Sequence, residues 1–340
     1  MARVSVGDVA AHAGVSVGTV SNVLNRPEVV RPGTRAKVEQ AILELGFVRN
    51  DSARQLRAGS SRTIAYVCLD VNNPFFTDVS RGIEEVAATE GLALFLCNTD
   101  QNAGRERQYL EQLSEQLVKG VCITPVDGMS DQLRQLPQRG IPVVFVDRSP
   151  DGSSADWCSV GVNDRLGGEL ATTHLLDLGH ERIAFAGGPL TIPQVAERLQ
   201  GAERALAGAG MPSEQLLILE TTANTVGEGR RATARLLGVP RRRRPTAIFC
   251  ANDLLALGVL QQITQQGLAI PRDLAIIGYD DIEFAAAAAV PLTSVSQPRQ
   301  LLGRTAAALL LEEAEAPEDH QHRHVSFDPE LIVRQSSGAD

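Results

Sequence analysis

Short apolar runs alternate with segments of helical periodicity from residue 62 onward, and this alternation limits the fold more than any other feature. Runs such as TIAYVCL, PVVFVD, RIAFAGG and LAIIGYD have the length of β-strands and are apolar at successive positions. Strands that are apolar on both faces are typical of parallel sheets covered by helices. The sequence therefore predicts doubly wound parallel sheets, and more than eight such units indicate two α/β lobes with a cleft between them.

Charge is unevenly distributed along the chain. The 340 residues carry a net charge of −9, which argues against a protein that coats nucleic acid. Residues 1–62, however, contain nine Arg or Lys and only five Asp or Glu. A small basic head on an acidic body indicates a dedicated anion-binding module.

The basic head has the pattern of short helices separated by a tight turn. In SVGDVAAHAGVS, Ser5 and Asp8 have the spacing of a capping box. Gly14 can adopt the positive φ that ends a helix, and Ser16 can cap the next helix. We therefore expect a helix, a turn and a second helix over about residues 17–25.

The second helix is expected to bury its apolar stripe and to present small and amide side chains to solvent. The outward residues are Gly18, Ser21, Asn22 and Asn25. An asparagine on such a face can bond adenine in the major groove. With a third helix from a Thr34 cap to about Leu45, the head is predicted to be an all-α helix-turn-helix headpiece over residues 1–49; a plain helical bundle with a polar surface is the alternative.

The residues also carry a family resemblance. The stretches VGDVAAHAGVSVGTVSNVLN, VRPGTRAKVEQAILELGFVRN and ARQL resemble the N-terminal signature of the lactose-repressor family of bacterial transcription regulators. The resemblance implies a core that is similar to periplasmic sugar-binding proteins, in which the chain crosses between two lobes three times. We place the first lobe at about residues 62–161 and 292–323, and the second at about 162–291 and 324–340.

The resemblance also implies roles for individual residues on DNA. It places Val17, Gly18 and Asn22 at base-reading positions of the second helix. The family's phosphate-contacting positions correspond to Ser16, Thr19, Ser21, Asn25 and Thr34. Because Gly18 has no side chain and Val17 offers only apolar contact, Asn22 is expected to carry most of the direct reading.

A polar linker over residues 50–61 contains one large apolar side chain, Leu56. A helix this short is marginal in water without a partner. The resemblance implies a hinge helix that forms on DNA, with Leu56 wedged into the minor groove, Ala53 leaving room for the partner hinge and Arg57 reaching the groove or a phosphate. The alternative is a leucine packed against the headpiece or the body.

Candidate ligand-binding residues lie near the ends of predicted strands, where open α/β sheets bind ligands. Asn252, Asp280 and Arg198 are the polar residues at these places. From the residues alone, they could equally be a helix cap, a turn residue and a surface ion pair. The resemblance matches all three to effector-contacting positions, and this donor and acceptor set suits the hydroxyls of a sugar or polyol.

Five further residues complete the predicted effector site: Phe75, Phe76, Asp164, Gln194 and Asn224. The two phenylalanines could form an apolar wall for a pyranose or a base, or they could simply be core residues. Family members that bind purines have a different set here, including Gly where Asn252 stands. That contrast favours a sugar effector and leaves a purine or nucleoside as the alternative.

Several classes of protein are disfavoured by what the sequence lacks. It has no Walker loop, no GxGxxG after a strand, no GxSxG and no HExxH, so we expect no enzyme and no cofactor. The five cysteines lack a CxxC pair, which favours buried thiols over a metal site or disulfides. No apolar run spans a membrane and no signal peptide is apparent, so a cytoplasmic location is expected.

These features together predict a ligand-responsive transcriptional regulator, with a repressor as the expected form, that binds a pseudo-palindromic operator as a homodimer. A sugar-binding protein without a regulatory role is the alternative from another class. The chain ends without an apolar heptad extension, so a coiled-coil tetramer is not expected.

Overall fold

The computed structural model describes residues 4–47, 61–148 and 156–338. The chain divides into two compact units, Met1–Ser60 and Ser61–Asp340. The N-terminal unit is called the head and the C-terminal unit the core.

Over residues 4–47, the head contains three α-helices: α1 (Val6–Ala13), α2 (Val17–Asn25) and α3 (Pro32–Leu45). Ser5 and Asp8 form the predicted capping box, because each side chain bonds the other residue's backbone N–H. The first helix ends at Gly14, whose φ of 65° is in the left-handed region that glycine tolerates.

Apolar side chains from all three helices form the core of the head. Val9, Val20, Val23 and Val38 are buried there. The start of α3 corrects the prediction of a Thr34 cap: the helix begins at Pro32, with Arg31 at the N-cap position. Proline is favoured at the first helical position because its φ is already helical and its missing N–H would have no helical partner.

The core contains two six-stranded sheets, each in its own lobe. The strands in chain order are β1 (Thr63–Cys68), β2 (Ala93–Asn98), β3 (Gly120–Ile123), β4 (Val143–Val146), β5 (Cys158–Val162), β6 (Ile183–Gly187), β7 (Leu216–Glu220), β8 (Ala247–Cys250), β9 (Ala275–Asp280), β10 (Thr293–Ser296), β11 (His324–Phe327) and β12 (Glu330–Ile332). The first lobe has the order β11-β5-β4-β3-β1-β2, and the second has β12-β10-β9-β8-β6-β7. Every pairing is parallel except β10 with β12, so the predicted doubly wound sheets are confirmed.

Helices cover both sheets. In chain order they are α4 (Pro74–Thr89), α5 (Ala103–Glu115), α6 (Asp131–Gln138), α7 (Asp164–Asp177), α8 (Pro193–Gly208), α9 (Val226–Gly238), α10 (Asp253–Gln265), α11 (Glu283–Ala287) and α12 (Arg299–Glu315). Six of the twelve described strands are fully buried between them and β1 is buried except at Thr63, which explains why these strand sequences are apolar at successive positions. None of the helices in the described ranges combines the length and the apolar character that crossing a bilayer requires.

Two of the predicted lobe boundaries require correction. Boundaries at residues 292 and 324 would assign β10 to the first lobe and β11 to the second. Instead, β10 pairs with β9 in the second lobe, and β11 pairs with β5 in the first. The chain therefore crosses after each of these strands rather than before it, because β10 first pairs between β9 and β12 in the second lobe and β11 first pairs with β5 in the first.

Candidate functional site

The N-terminal part of α2 forms an exposed surface of small side chains. Ser16 caps the helix, and its Oγ accepts a hydrogen bond from the Thr19 backbone N–H at 3.1 Å. Val17 is 53% exposed, which is unusual for a valine, and Gly18 and Asn22 are exposed beside it. The three residues predicted to read bases therefore share one accessible surface of the helix.

The predicted phosphate-contacting residues lie near this surface or at the start of α3. Asn25 is exposed, and its Nδ2 donates to the Ser21 carbonyl oxygen at 2.9 Å. Thr34 is partly exposed in the first turn of α3. Ala53, Leu56 and Arg57, the predicted hinge residues, lie outside the described residues.

In the core, a small cavity lies between the lobes at the carboxyl ends of their strands. Its volume is about 60 Å³. Seven of the eight predicted effector residues line it: Phe75, Phe76, Gln194, Arg198, Asn224, Asn252 and Asp280. Asp164 does not line the cavity, and it contacts Arg198 instead. We call this space and its lining the cleft.

Arg198 is the central cation of the cleft. It projects from α8, and its Nε donates to Asp164 Oδ1 at 2.6 Å while its Nη1 donates to the Ala251 carbonyl oxygen at 2.6 Å. The guanidinium also lies 3.6 Å from the centre of the Tyr279 ring. Burial disfavours the cation, but Asp164 and the other nearby acidic groups outweigh it and keep the pKa of Arg198 above its ordinary value. The arginine is thus a fixed, charged donor and not the surface ion pair that was the alternative.

Hydrogen bonds within the cleft join the two lobes directly. Asn73, which caps α4 in the first lobe, donates through Nδ2 to Asp280 Oδ2 of the second lobe at 3.1 Å. Gln194 of the second lobe donates through Nε2 to Asp147 Oδ2 of the first lobe at 3.2 Å and also to the Asp147 carbonyl oxygen. Polar side chains therefore hold the two lobes together across the cleft. A ligand could form hydrogen bonds with the same side chains.

Asn252 and the phenylalanines have structural contacts as well as places in the cleft. Asn252 caps α10 by accepting from the Leu255 N–H at 2.9 Å, and its Nδ2 donates to the Asn224 carbonyl oxygen at 3.1 Å. Phe75 and Phe76 pack edge to face and belong to the first lobe's apolar core. Asn252 is therefore a helix cap as well as a residue of the cavity wall. Phe75 and Phe76 are core residues that also line the cavity.

Two acidic residues of the cleft, Asp147 and Asp280, are buried and have a strained backbone conformation. Asp147 and Asp280 have φ values of 56° and 99°, a region that residues with side chains rarely adopt and that is common at functional sites. Burial raises the pKa of Asp147 well above its usual value, and repulsion from Asp164 adds to this shift. Burial also raises the pKa of Asp280, although Arg198 opposes it.

Sequence reasoning missed seven residues that line the cavity, and two of them, Asn73 and Asp147, form hydrogen bonds between the lobes. Asp147 immediately follows β4, and its Oδ1 is buried without a hydrogen-bond partner among the described residues. The rule that directed attention to the ends of strands would have found Asp147 in PVVFVD. Asn73, in NNPFF, carries the helix-capping signal of an asparagine before Pro-Phe.

A larger space adjoins the cleft and leads outward between the lobes. Its volume is about 370 Å³, and it shares Leu69, Gln101, Ile192 and Gln194 with the cleft. Sites for small molecules usually have about 300–1,000 Å³. The cleft alone is thus too small for a sugar or a base, whereas the two spaces together reach this size.

Comparison with known families gives two matches. Residues 5–50 match the family described as bacterial regulatory proteins, lacI family. Residues 172–337 match the family described as periplasmic binding protein-like domain.

Whole proteins and solved structures are similar over much longer ranges. The HTH-type transcriptional repressor PurR of Aliivibrio fischeri (strain MJ11) is 36% identical over 334 residues, which is 98% of each chain. A LacI family transcriptional regulator from Enterococcus faecium with bound ribose is 31% identical, with a TM-score of 0.74 over 81% of this chain and 98% of that one. The lac repressor dimer bound to operator and the anti-inducer ONPF is 28% identical, with a TM-score of 0.81 over 99% of this chain and 100% of that one.

Proposed function

The chain belongs to the lacI family of bacterial regulatory proteins, and on that premise we propose that it represses transcription as a homodimer whose operator affinity responds to a sugar bound in the cleft. One observation carries the proposal. A head that exposes a DNA-reading helix is joined in one chain to a core whose two lobes meet around a fixed arginine, two carboxylates and several amides.

On DNA, α2 would lie in the major groove, with Asn22 bonding a base edge and Val17 contacting a thymine methyl group. The capping hydroxyl of Ser16 would bond phosphates, and so would the partly exposed Thr19, Ser21 and Thr34, together with Asn25. We keep Leu56 as the proposed minor-groove wedge, with Ala53 and Arg57 beside it. The operator would be pseudo-palindromic because a two-fold dimer presents two copies of α2. Such a regulator would act in the cytoplasm, where its DNA lies.

The homodimer has support in the exposed edges of the core. The strands β2 and β7 end their respective sheets and therefore lack a neighbour on one side within the described chain. Phe95 and Leu96 on β2 and Ile218 on β7 are each more than 40% exposed. Apolar side chains on open edge strands favour association with another surface, and a second copy would cover the edges of both lobes. The similar lac repressor structure is of a dimer.

A sugar suits the cleft because hydrogen-bond donors and acceptors line it together with apolar side chains. Arg198 and Asn73 supply N–H donors, Asp147 and Asp280 supply carboxylate acceptors, and Phe75 provides an apolar wall. Vicinal hydroxyls can donate to a carboxylate and accept from a guanidinium at the same time. The similar regulator from Enterococcus faecium was solved with ribose bound.

Binding would require the lobes to rearrange. The effector must displace the bonds from Asn73 to Asp280 and from Gln194 to Asp147, since these occupy the polar groups that the effector needs. A ligand can shift the equilibrium between two lobe arrangements only by its difference in affinity for them. The change in lobe arrangement would then alter the geometry of the two hinge segments and thereby DNA affinity.

A purine or nucleoside is the second candidate for the effector. It is favoured by the repressors named PurR, which are 36% identical over 98% of the chain. The aromatic pair Phe75 and Phe76 could stack on a base as well as on a sugar. Against it, the cleft carries Asn252 and a predominance of acidic over basic groups.

A thermal-shift screen of the full-length protein would distinguish these effectors. The panel should contain aldopentoses, hexoses, disaccharides and polyols on one side, and purine bases and nucleosides on the other. A sugar that raises the Tm progressively, with the logarithm of its concentration above the Kd, and fails to do so in Asp280→Asn, is the expected result. Stabilisation only by purines would replace the sugar proposal with its alternative.

Other classes of function have clear tests. The family consists of transcriptional regulators, and we propose no catalytic activity; turnover of a bound sugar or nucleoside by the purified protein would contradict this. A binding protein without a regulatory role would keep its full biological activity after deletion of the head, whereas the proposed regulator would lose it.

A further inference from the structure

Four side chains with metal-ligating atoms converge in the first lobe, away from the cleft. They are Cys158 at the start of β5, Glu313 near the end of α12, and His320 and His322 in the connection that leads to β11. One ligand atom of each lies within 4.8 Å of those of the other three. Although the sequence predicted Cys158 to be only a buried thiol, the fold brings it together with residues about 160 positions away.

The distances within this group lie within a few tenths of an ångström of those around a shared ion, and the two that start at Cys158 Sγ also fit hydrogen bonds to sulfur. Cys158 Sγ lies 3.1 Å from His320 Nε2 and 3.8 Å from His322 Nδ1. Glu313 Oε2 lies 3.9 Å from each of the same two nitrogens, which is too long for a hydrogen bond. Tetrahedral Zn²⁺ with S, N and O ligands at about 2.0–2.3 Å places its ligand atoms roughly 3.3–3.7 Å apart.

Burial makes the group costly unless something satisfies its polar atoms. Cys158 has no exposed surface, and the side chain of His320 is 1% exposed. Glu313 Oε2 and His320 Nδ1 are buried and have no hydrogen-bond partner among the described residues. A cation bound by Glu313 would supply the missing partner for its carboxylate.

Surrounding groups support the ligands in the way metal sites require. Glu312 Oε1 lies 3.5 Å from His320 Nδ1, the ring nitrogen opposite the one facing Cys158, and Glu312 is itself paired with Arg323. The Arg323 backbone N–H donates to Cys158 Sγ at 3.4 Å. An outer carboxylate fixes the orientation of a ligating histidine, and an N–H donor stabilises a thiolate.

We propose that Cys158, Glu313, His320 and His322 form a structural Zn²⁺ site. All four ligands come from the protein and the site is largely buried, as in closed structural zinc sites. A Cys-His dyad for catalysis is a poorer account, because no substrate could reach the buried Cys158. The ion would fasten the connection of residues 316–323 to the sheet, just before β11 leads into the third crossing between the lobes.

The location separates this site from the effector cleft. The sheet of the first lobe is parallel, so the amino end of β5 lies at the same edge as the amino end of β1, where the chain enters the core. The cleft lies at the opposite, carboxyl edge of the sheet. Zn²⁺ binding and effector binding can therefore be measured independently.

The test uses the reduced full-length protein, stripped of metal by a chelator and titrated with ZnCl₂ and, separately, CoCl₂. We expect one Zn²⁺ per chain, a rise in Tm of about 5 °C, and a Co²⁺ spectrum with tetrahedral bands and a thiolate charge-transfer band. Absence of zinc binding, or an octahedral Co²⁺ spectrum without that band, would overturn the proposal whatever the variants do.

Variants then identify the ligands. Cys158→Ser and His322→Ala should weaken Zn²⁺ binding by about 100-fold or more, at or above the cost of losing an outer partner. The matched controls Cys97→Ser and His180→Ala change a cysteine and a histidine outside the group and should leave affinity unchanged. Equal affinity in Cys158→Ser, His322→Ala and wild type would assign the zinc to other residues and refute the site.

Discussion

Helix α2, the proposed recognition helix, and the cleft both contain polar side chains. They differ in whether those side chains form hydrogen bonds within the protein. Asn22 on α2 is exposed and makes no side-chain hydrogen bond to any described residue. In the cleft, Asn73, Arg198 and Asp280 are buried and bonded to one another or to the backbone. If the two sites act as proposed, the reading surface is complete before DNA arrives, whereas the cleft must break internal bonds to admit its ligand.

Substitutions in the two regions should therefore have different effects on binding and stability. A substitution on an exposed face removes an external contact and leaves the fold nearly unaffected. A substitution in the cleft leaves a buried partner without its hydrogen bond or counterion, so it affects ligand affinity and stability together. Specificity for DNA can vary freely on such a scaffold, while the chemistry of the cleft is tied to the stability of the core.

The largest expected effect comes from removing the central cation of the cleft. Arg198→Met should destabilise the core by about 3–5 kcal/mol, because Asp164 then remains buried without its partner. Urea unfolding of the full-length protein measures the change. Arg204→Met, on the same helix but in an exposed pair with Glu169, is the control and should cost about 1 kcal/mol or less. Equal costs for the two variants would show that the cleft pair is not special.

The next effect belongs to the recognition helix. Asn22→Ala should lose about 1–3 kcal/mol of discrimination between the operator and altered operators, because the amide no longer bonds a base edge. The Tm of the core should not change. Fluorescence anisotropy with labelled operator and point-altered duplexes measures this, and Gln40→Ala, an exposed amide on α3, is the control. Unchanged discrimination in Asn22→Ala would refute its role as the main base reader.

Two glycines test the contrast in packing. A Cβ at Gly168 on α7 would lie 2.1 Å from the Arg198 carbonyl oxygen, whereas one at Gly18 on α2 would meet only Ser16 Oγ at 3.7 Å. Gly168→Ala should therefore destabilise the core by about 1–3 kcal/mol. Gly18→Ala should stabilise the head by about 1 kcal/mol, because alanine is the better helix former. Hydrogen exchange read separately in each unit measures both; changes of the same sign would contradict the contrast.

A smaller, pH-dependent effect is expected at Asp147. Its pKa is raised in the folded core, so its contribution to stability is fully present below the ordinary Asp pKa of about 4 and is lost as pH rises through the raised value. Asp147→Asn cannot ionise and should be more stable than wild type at neutral pH by on the order of 1 kcal/mol. The two proteins should converge near pH 4 in thermal unfolding. The exposed control Asp177→Asn should show no such convergence.

The same contrast explains how far the sequence alone could lead. The head depends on contacts between near neighbours, such as Ser5 with Asp8, and these are visible as spacing. The parallel sheets and their covering helices also follow from burial pattern and alternation. The bond between Asn73 and Asp280 joins residues 207 positions apart, and no local pattern encodes it. Family resemblance matched Arg198, Asn252 and Asp280 to effector-contacting positions, and all three lie on the cavity wall. Asp164, a further candidate at the lobe junction, instead contacts Arg198.

Local patterns also failed where pairing decides the outcome. Whether β10 and β11 belong to one lobe or the other depends on which sheet each strand pairs with, and neither short sequence, TSVS or HVSF, indicates the sheet. The grouping of Cys158 with His320 and His322 depends on the same pairing, because β11 places the residues before it beside the start of β5. Strand pairings of this kind can be assigned only when the strand order of the whole sheet is known.

The most direct test of the account is the effect of the effector on DNA affinity. Full-length protein would select an operator from random-sequence DNA, and its affinity for that operator would be measured at fixed salt with and without the stabilising ligand from the thermal-shift panel. If the cleft controls the head, the ligand should change the affinity for the operator at least about 5-fold. If the ligand saturates the cleft and operator affinity stays the same, the cleft does not control the head and the central claim is wrong.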